Sequence, residues 1–191
     1  MIDILSMDRP VKFDFGGVLT YAFYAHEGQV RDFTGEPYVS HPIAVAKILI
    51  AHGADELEVF GALLHDAVED SKGKVTLESI MERFGPLDKP KAEELVEIVR
   101  FVTKISKKED GNRARRIAAD AAHYASGGEK SQNIKIADFL HNLPEMAKNN
   151  REFAKKYVLE KEALLKVLTK ARPSLRQEAE VLIASLKKEL L

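Results

Sequence analysis

Four polar side chains, His65, Asp66, Glu69 and Asp70, follow directly on the apolar Ala62-Leu63-Leu64. Charged groups in a helix that its apolar neighbours draw into a core are costly unless they are paired or hold a metal. At helical spacing His65 and Glu69 stand four apart, as do Asp66 and Asp70. Two adjacent ridges then bring one imidazole and three carboxylates into one region. Adjacent His and Asp alone fit a cap or a surface pair; the second acidic pair one turn later and the apolar flanks turn the reading toward a site. A similar interruption lies in Ile134-Lys135-Ile136-Ala137-Asp138-Phe139-Leu140-His141-Asn142-Leu143. There Asp138 and Asn142 share a face, Asp138 as a potential ligand and Asn142 as a lining residue of the same cavity. His41, directly before Pro42, stands at the start of a helix, and His26 lies on an earlier one. Taken singly, a histidine of this kind is more often a hydrogen-bonded core residue than a ligand.

Together, His41, His65, Asp66 and Asp138 form a set of two imidazoles and two carboxylates. Mixed nitrogen and oxygen donors suit manganese, iron or zinc better than magnesium or calcium. Four protein ligands leave room for water and a substrate oxygen, where a metal would lower the pKa of the water and polarise a phosphoryl group. The chain has no cysteine, which excludes thiol catalysis, a thiolate zinc site and a disulfide framework. Arg113, Arg115 and Arg116 fall on one predicted helix, while Lys135 and Lys148 flank the Asp138 block. The arginines read equally as a phosphate-binding cluster or as a solvated face paired with Glu109 and Asp110.

The elements that must position these residues read as helices. Pro42 to Gly53 opens on a proline and closes on a glycine, which suits a helix start and stop. Asp55 can cap the next helix, whose Leu57, Phe60, Leu63 and Leu64 share a face. Helical periodicity recurs at Leu77, Ile80, Met81 and Phe84, at Leu95, Ile98, Val99 and Val102, and at Ile117, Ala118, Ala121 and Ala122. Gly73, Gly85-Pro86, Gly111 and Gly127-Gly128 punctuate the helices. Residues 151–190 read as two amphipathic helices split at Pro173. Val11 to Phe15 is the one short candidate for an extended segment. The expected fold is a single all-α domain of eight to ten helices, with a motif core over 20–150 and a C-terminal helical cap over 151–191.

Composition bounds the partners. The 191 residues, 45% hydrophobic and 31% charged, suit one soluble globular domain. Twenty-nine basic against 30 acidic residues leave a formal charge of −1, which gives no general attraction to nucleic acid or an anionic membrane. No apolar run approaches the roughly 18 residues of a membrane span. Asp3, Asp8 and Arg9 interrupt any signal core at the N-terminus, so a cytoplasmic protein is expected.

Four blocks carry a resemblance. Ala25-His26-Glu27-Gly28-Gln29-Val30-Arg31, Gly35-Glu36-Pro37-Tyr38-Val39-Ser40-His41-Pro42, Leu63-Leu64-His65-Asp66-Ala67-Val68-Glu69-Asp70 and Ile134 to Leu143 resemble, in order and spacing, the HD-type hydrolase domain of the RelA/SpoT alarmone family. The resemblance implies an all-α fold, one bound Mn²⁺, and hydrolysis of the 3′-pyrophosphate of guanosine tetra- or pentaphosphate to GDP or GTP and pyrophosphate. By the same resemblance His41, His65, Asp66 and Asp138 are the metal ligands. Glu69 and Asp70 position and activate the attacking water, Arg31 contacts the nucleotide, and Asn142 lies at its base and ribose side. Arg113, Arg116 and Lys135 are added as candidate phosphate contacts.

The length leaves room for neither a synthetase nor regulatory domains, so a stand-alone small alarmone hydrolase is expected. Asp32 and Pro144 depart from the family pattern beside the nucleotide pocket. Adenosine alarmones and NADPH therefore stay open as substrates. So do a general HD phosphohydrolase and a non-catalytic alarmone-binding module, although the latter would be expected to have lost a ligand or the acidic pair.

Overall fold

Polar side chains that satisfy free backbone N–H groups set most helix starts. The computed structural model describes residues 12–191. Asp14 caps α1 (Phe15–Ala25) by accepting from the Gly17 amide at 2.9 Å. The candidate extended segment is thus corrected: Phe15 opens a helix, Phe13 stacks on Phe60 and Phe84, and Val11 lies outside the described residues. Helix α2 (Ser40–Ala51) starts two residues before Pro42, and Gly53 takes a positive φ of 79° just beyond its end. Asp55 caps α3 (Glu56–Leu64) through the Glu58 amide at 2.9 Å.

Helix α4 is the short Ala67–Asp70. Next come α5 (Leu77–Phe84), opened by a Thr76/Ser79 capping box, and α6 (Lys89–Val102), capped by Asp88. A 3₁₀ turn at Lys108–Asp110 leads into α7 (Arg113–Ser126), capped by Asn112. Helices α8 (Glu129–Asn149), α9 (Arg151–Val167) and α10 (Pro173–Leu190) complete the chain, and the split at Pro173 falls where the sequence places it. Among the described residues the β-type pairing is one isolated bridge, Val30 to Pro37. The fold is all-α.

Helix α8 is the hub. It packs on α2, α3, α6, α7, α9 and α10, and its residues from Ser131 to Leu140 are all buried. Helix α3 approaches α6 and α8 so closely that a Cβ on Gly61 would stand 2.5 Å from Ile98 Cγ2 and 2.9 Å from Ile134 Cδ1. The buried polar residues at the start of α8 hold the C-terminal helices: Gln132 accepts from the Lys170 amide at 2.8 Å and Asn133 from the Arg172 amide at 2.7 Å. Arg172 also donates to the buried Glu58 at 2.9 and 3.4 Å. These pairs satisfy groups that would otherwise be costly inside the fold, and they fix the face of α8 that carries Asp138. No helix among the described residues is long and apolar enough to cross a membrane.

Candidate metal centre and adjoining pocket

Four helices deliver four side chains to one point. His41 comes from the first turn of α2, His65 and Asp66 from the junction of α3 and α4, and Asp138 from the middle of α8. His41 Nε2 lies 3.2 Å from Asp138 Oδ1 and 3.5 Å from Asp66 Oδ2. His65 Nε2 lies 3.1 Å from Asp66 Oδ2 and 3.9 Å from Asp138 Oδ1. The single long helix expected through Leu63 to Asp70 is broken: α3 ends at Leu64 and α4 begins at Ala67. The two-residue turn aims His65 and Asp66 at the same point, which consecutive positions of one straight helix would turn about 100° apart.

The donor set fits a divalent cation. Both His41 Nε2 and His65 Nε2 are buried without a hydrogen-bond partner. Donor atoms of His41, His65 and Asp138 lie within 4.8 Å of one another. Two ligands each about 2.1 Å from a shared zinc-like ion stand roughly 3–4 Å apart, the range found here. His65 Nδ1 donates to the Ala62 carbonyl at 2.8 Å, which leaves Nε2 free to coordinate an ion. Burial by itself would push the proton off His65, but Asp66 and Asp138 outweigh it and raise the pKa to about 9. Burial likewise opposes ionisation of Asp66 and Asp138, yet His65 holds the first and Lys135 the second well below the carboxylate range. Paired carboxylates this deep call for a compensating positive charge.

A shell of side chains orients the candidate ligands. Asp138 accepts from Asn142 Nδ2 at 2.7 Å and from Lys135 Nζ at 3.2 Å. Asn142 in turn accepts from Arg31 at 3.1 Å, and Arg31 also pairs with Glu145. Tyr38 places its hydroxyl 2.8 Å from Asp66 Oδ2 and 3.2 Å from Asp70 Oδ2. The Val30–Pro37 bridge carries both residues inward, with Arg31 N donating to the Glu36 carbonyl at 2.8 Å and Tyr38 N to Gln29 at 2.9 Å.

The acidic pair divides. Asp70 faces the centre through Tyr38, and burial together with Asp66 and Glu69 raises its pKa. Glu69 accepts from the Lys104 amide at 2.6 Å and pairs with the Lys104 ammonium at 2.5 Å. A cavity of about 190 Å³ opens beside the centre, lined in part by Arg31, Phe33, Tyr38, Asn142, Glu145 and Tyr157.

Lys135 is buried against Asp138, so it lies at the centre but is committed to a carboxylate. Arg113 forms a two-point pair with Glu160, both distances 2.8 Å, rather than with Glu109 or Asp110. Arg116 sits on α7 with its Nε buried and unpartnered. Tyr38, Lys104, Tyr157 and the role of His141 escaped the sequence reading. Tyr38 stands inside the Gly35-to-Pro42 block, but no spacing along the chain links its hydroxyl to Asp66.

An HD-domain family model matches residues 19–168. A solved metazoan ortholog of SpoT, described as hydrolysing ppGpp, is 26% identical with a TM-score of 0.77, covering 96% of this chain and 99% of that one. The guanosine-3′,5′-bis(diphosphate) 3′-pyrophosphohydrolase of Haemophilus influenzae is 43% identical over 83 residues, 44% of this chain and 11% of that protein. A GTP pyrophosphokinase of Streptomyces coelicolor is 34% identical over 128 residues, 66% of this chain and 14% of that protein. The chain therefore spans a small part of the curated relatives it matches and nearly the whole of the metazoan protein. With the His65-Asp66 pair at its centre and the family match covering most of its length, the chain belongs to the HD-domain family.

Proposed function

We propose that the protein hydrolyses the 3′-pyrophosphate of guanosine tetra- and pentaphosphate, releasing pyrophosphate and GDP or GTP. The observation that carries this reading is Asp70, a carboxylate with a raised pKa, held through one tyrosine hydroxyl beside a four-residue cation site. His41, His65, Asp66 and Asp138 would hold the ion, Mn²⁺ in this reading, which supplies charge neutralisation for the phosphate and a lowered pKa for water.

Asp70 takes a proton from the attacking water, whose oxygen bonds to the phosphorus nearest ribose O3′. The bond from that phosphorus to O3′ breaks, and O3′ leaves as the hydroxyl by taking a proton from solvent, to which Asp70 returns the one it accepted. A carboxylate whose pKa lies nearer neutrality is the better general base. Tyr38 holds Asp70 toward the water, and Lys135 and Asn142 fix the orientation of Asp138. Glu69 acts through Lys104, which it anchors at the rim. Arg31 and Asn142 face the nucleoside from the smaller pocket, where the rings of Tyr38 and Tyr157 offer stacking surfaces.

The test is incubation of Mn²⁺-loaded protein with guanosine and adenosine 3′-pyrophosphates and NADPH, with products separated by anion exchange. Pyrophosphate and GDP from guanosine tetraphosphate, faster than turnover of the other compounds, is the expected result. Failure to release pyrophosphate from any 3′ position would overturn the reading.

A further inference from the structure

The cations around the metal centre are engaged by carboxylates: Lys135 by Asp138, Lys104 by Glu69, Arg31 by Glu145. A nucleoside with a diphosphate at each end brings a second polyanion that a metal bound at the 3′ end does not neutralise. Helices α7 and α9 line an open cavity of about 870 Å³, which shares Tyr157 with the smaller pocket beside this centre. Tyr124 and Tyr157 form its near end. The Tyr124 ring lies 4.8 Å from the Lys135 ammonium, and Tyr157 also lines the Arg31 pocket. The small residues Ala118, Ala121 and Ala122 on the α7 wall keep the space open.

Two cations line the cavity. Arg113 is held by Glu160 and lies over the Phe153 ring. The Lys161 ammonium has no hydrogen-bond or ion-pair partner among the described residues and rests 4.5 Å from the centre of the Tyr157 ring. Burial lowers its pKa to about 8, outweighing the attraction of Asp138. A half-buried ammonium that lacks an anionic partner and faces an open cavity is a group an incoming phosphate can pair with. Ile117 and Leu164 line the same cavity.

We propose that Lys161, in the cavity between α7 and α9, receives the 5′-phosphates of the nucleotide whose 3′-pyrophosphate is cleaved at the metal centre. The site thereby favours nucleotides phosphorylated at both ends. This assignment rests on the alarmone reading above.

Steady-state kinetics on guanosine 3′,5′-bis(diphosphate) and on guanosine 3′-diphosphate with a free 5′-hydroxyl, for wild type, K161M and K161R at pH 7 and 9, test it. The wild type is expected to show the lower KM for the bis(diphosphate). K161M should raise that KM about tenfold, the effect of losing one charged hydrogen bond, with kcat changed much less, so that the difference between the substrates collapses. K161R should keep the difference at both pH values, because guanidinium stays charged. In the wild type it should shrink toward pH 9 as Lys161 deprotonates.

The other charged or titratable groups that face Lys161 are Tyr157 and Glu160 on α9, Arg113 on α7, and Lys135 and Asp138 on α8. They are common to the wild type and K161R, so a shift with pH seen only in the wild type belongs to Lys161. An equal KM ratio in wild type and K161M, or an equal loss of kcat on both substrates, would overturn the assignment while leaving the alarmone reading intact. Absence of pyrophosphate from either substrate with wild type would overturn both. Should K161M fail to fold, the pH comparison of wild type with K161R decides alone.

Discussion

His41 and His141 face each other through their Nδ1 atoms, 2.9 Å apart. One ring must donate and the other accept. A donating His41 keeps Nε2 free for a metal, and burial, His41 and Arg31 lower the pKa of His141, which favours the neutral accepting form. His141 is therefore a positioning residue one place before Asn142. His141→Phe is expected to weaken Mn²⁺ binding about 10–100-fold, read by calorimetry on the metal-free protein. An unchanged affinity would remove His141 from this role.

Asp66→Asn keeps the size of the side chain and an acceptor for Tyr38 but removes a negative charge from the centre. Metal binding and turnover should fall together, and a chelator should silence the wild type until Mn²⁺ is returned. Full activity in metal-free Asp66→Asn would refute the ligand assignment.

Asp70 and Glu69 should separate in kinetics. Asp70→Asn is expected to lose about 10²–10⁴-fold in kcat while retaining the metal. Glu69→Gln should lose less, because its carboxylate is already committed to Lys104. Equal losses in the two variants would argue that both touch the attacking water.

Removing the Tyr38 hydroxyl leaves Asp70 without its link to Asp66. Hydrogen bonding to the tyrosine favours ionised Asp70, so Tyr38→Phe should move the acidic limb of the kcat profile to higher pH. A drop of about tenfold in kcat should accompany the shift. A profile that does not move would show that Tyr38 only packs.

Gly61→Ala tests the scaffold. The added Cβ would press on Ile98 and Ile134 where α3 meets α6 and α8. Overpacking of this kind costs about 1–3 kcal/mol, visible as a lower denaturation midpoint. Because α3 ends just before His65, weaker metal binding is expected alongside it.

Three of the four candidate metal ligands were legible because each interrupts an apolar helix with a group that has no local reason to be buried. His65, Asp66 and Asp138 carry that signal in the sequence, and the tertiary structure joins them to His41. The arginines of α7 show the limit. Their helix was readable, but its rotation against α9 gives Arg113 to Glu160, a partner 47 positions away. Tyr38, His141 and Lys161 carry no motif of their own for the roles described; the first two gain their meaning from a neighbour on another helix, and Lys161 from the cavity between α7 and α9.

By itself the sequence determined an all-α chain, its helix stops, and the donor types available to a metal, since periodicity, caps and composition are local properties. The tertiary structure alone decided which of those groups share a point. It broke the helix at His65 to aim two candidate ligands together, divided Glu69 from Asp70, occupied Arg31 with Glu145, and set Lys161 beside an open cavity. The physical reason is that pairing of charges depends on distance and burial, which only the packing of helices far apart in the chain sets.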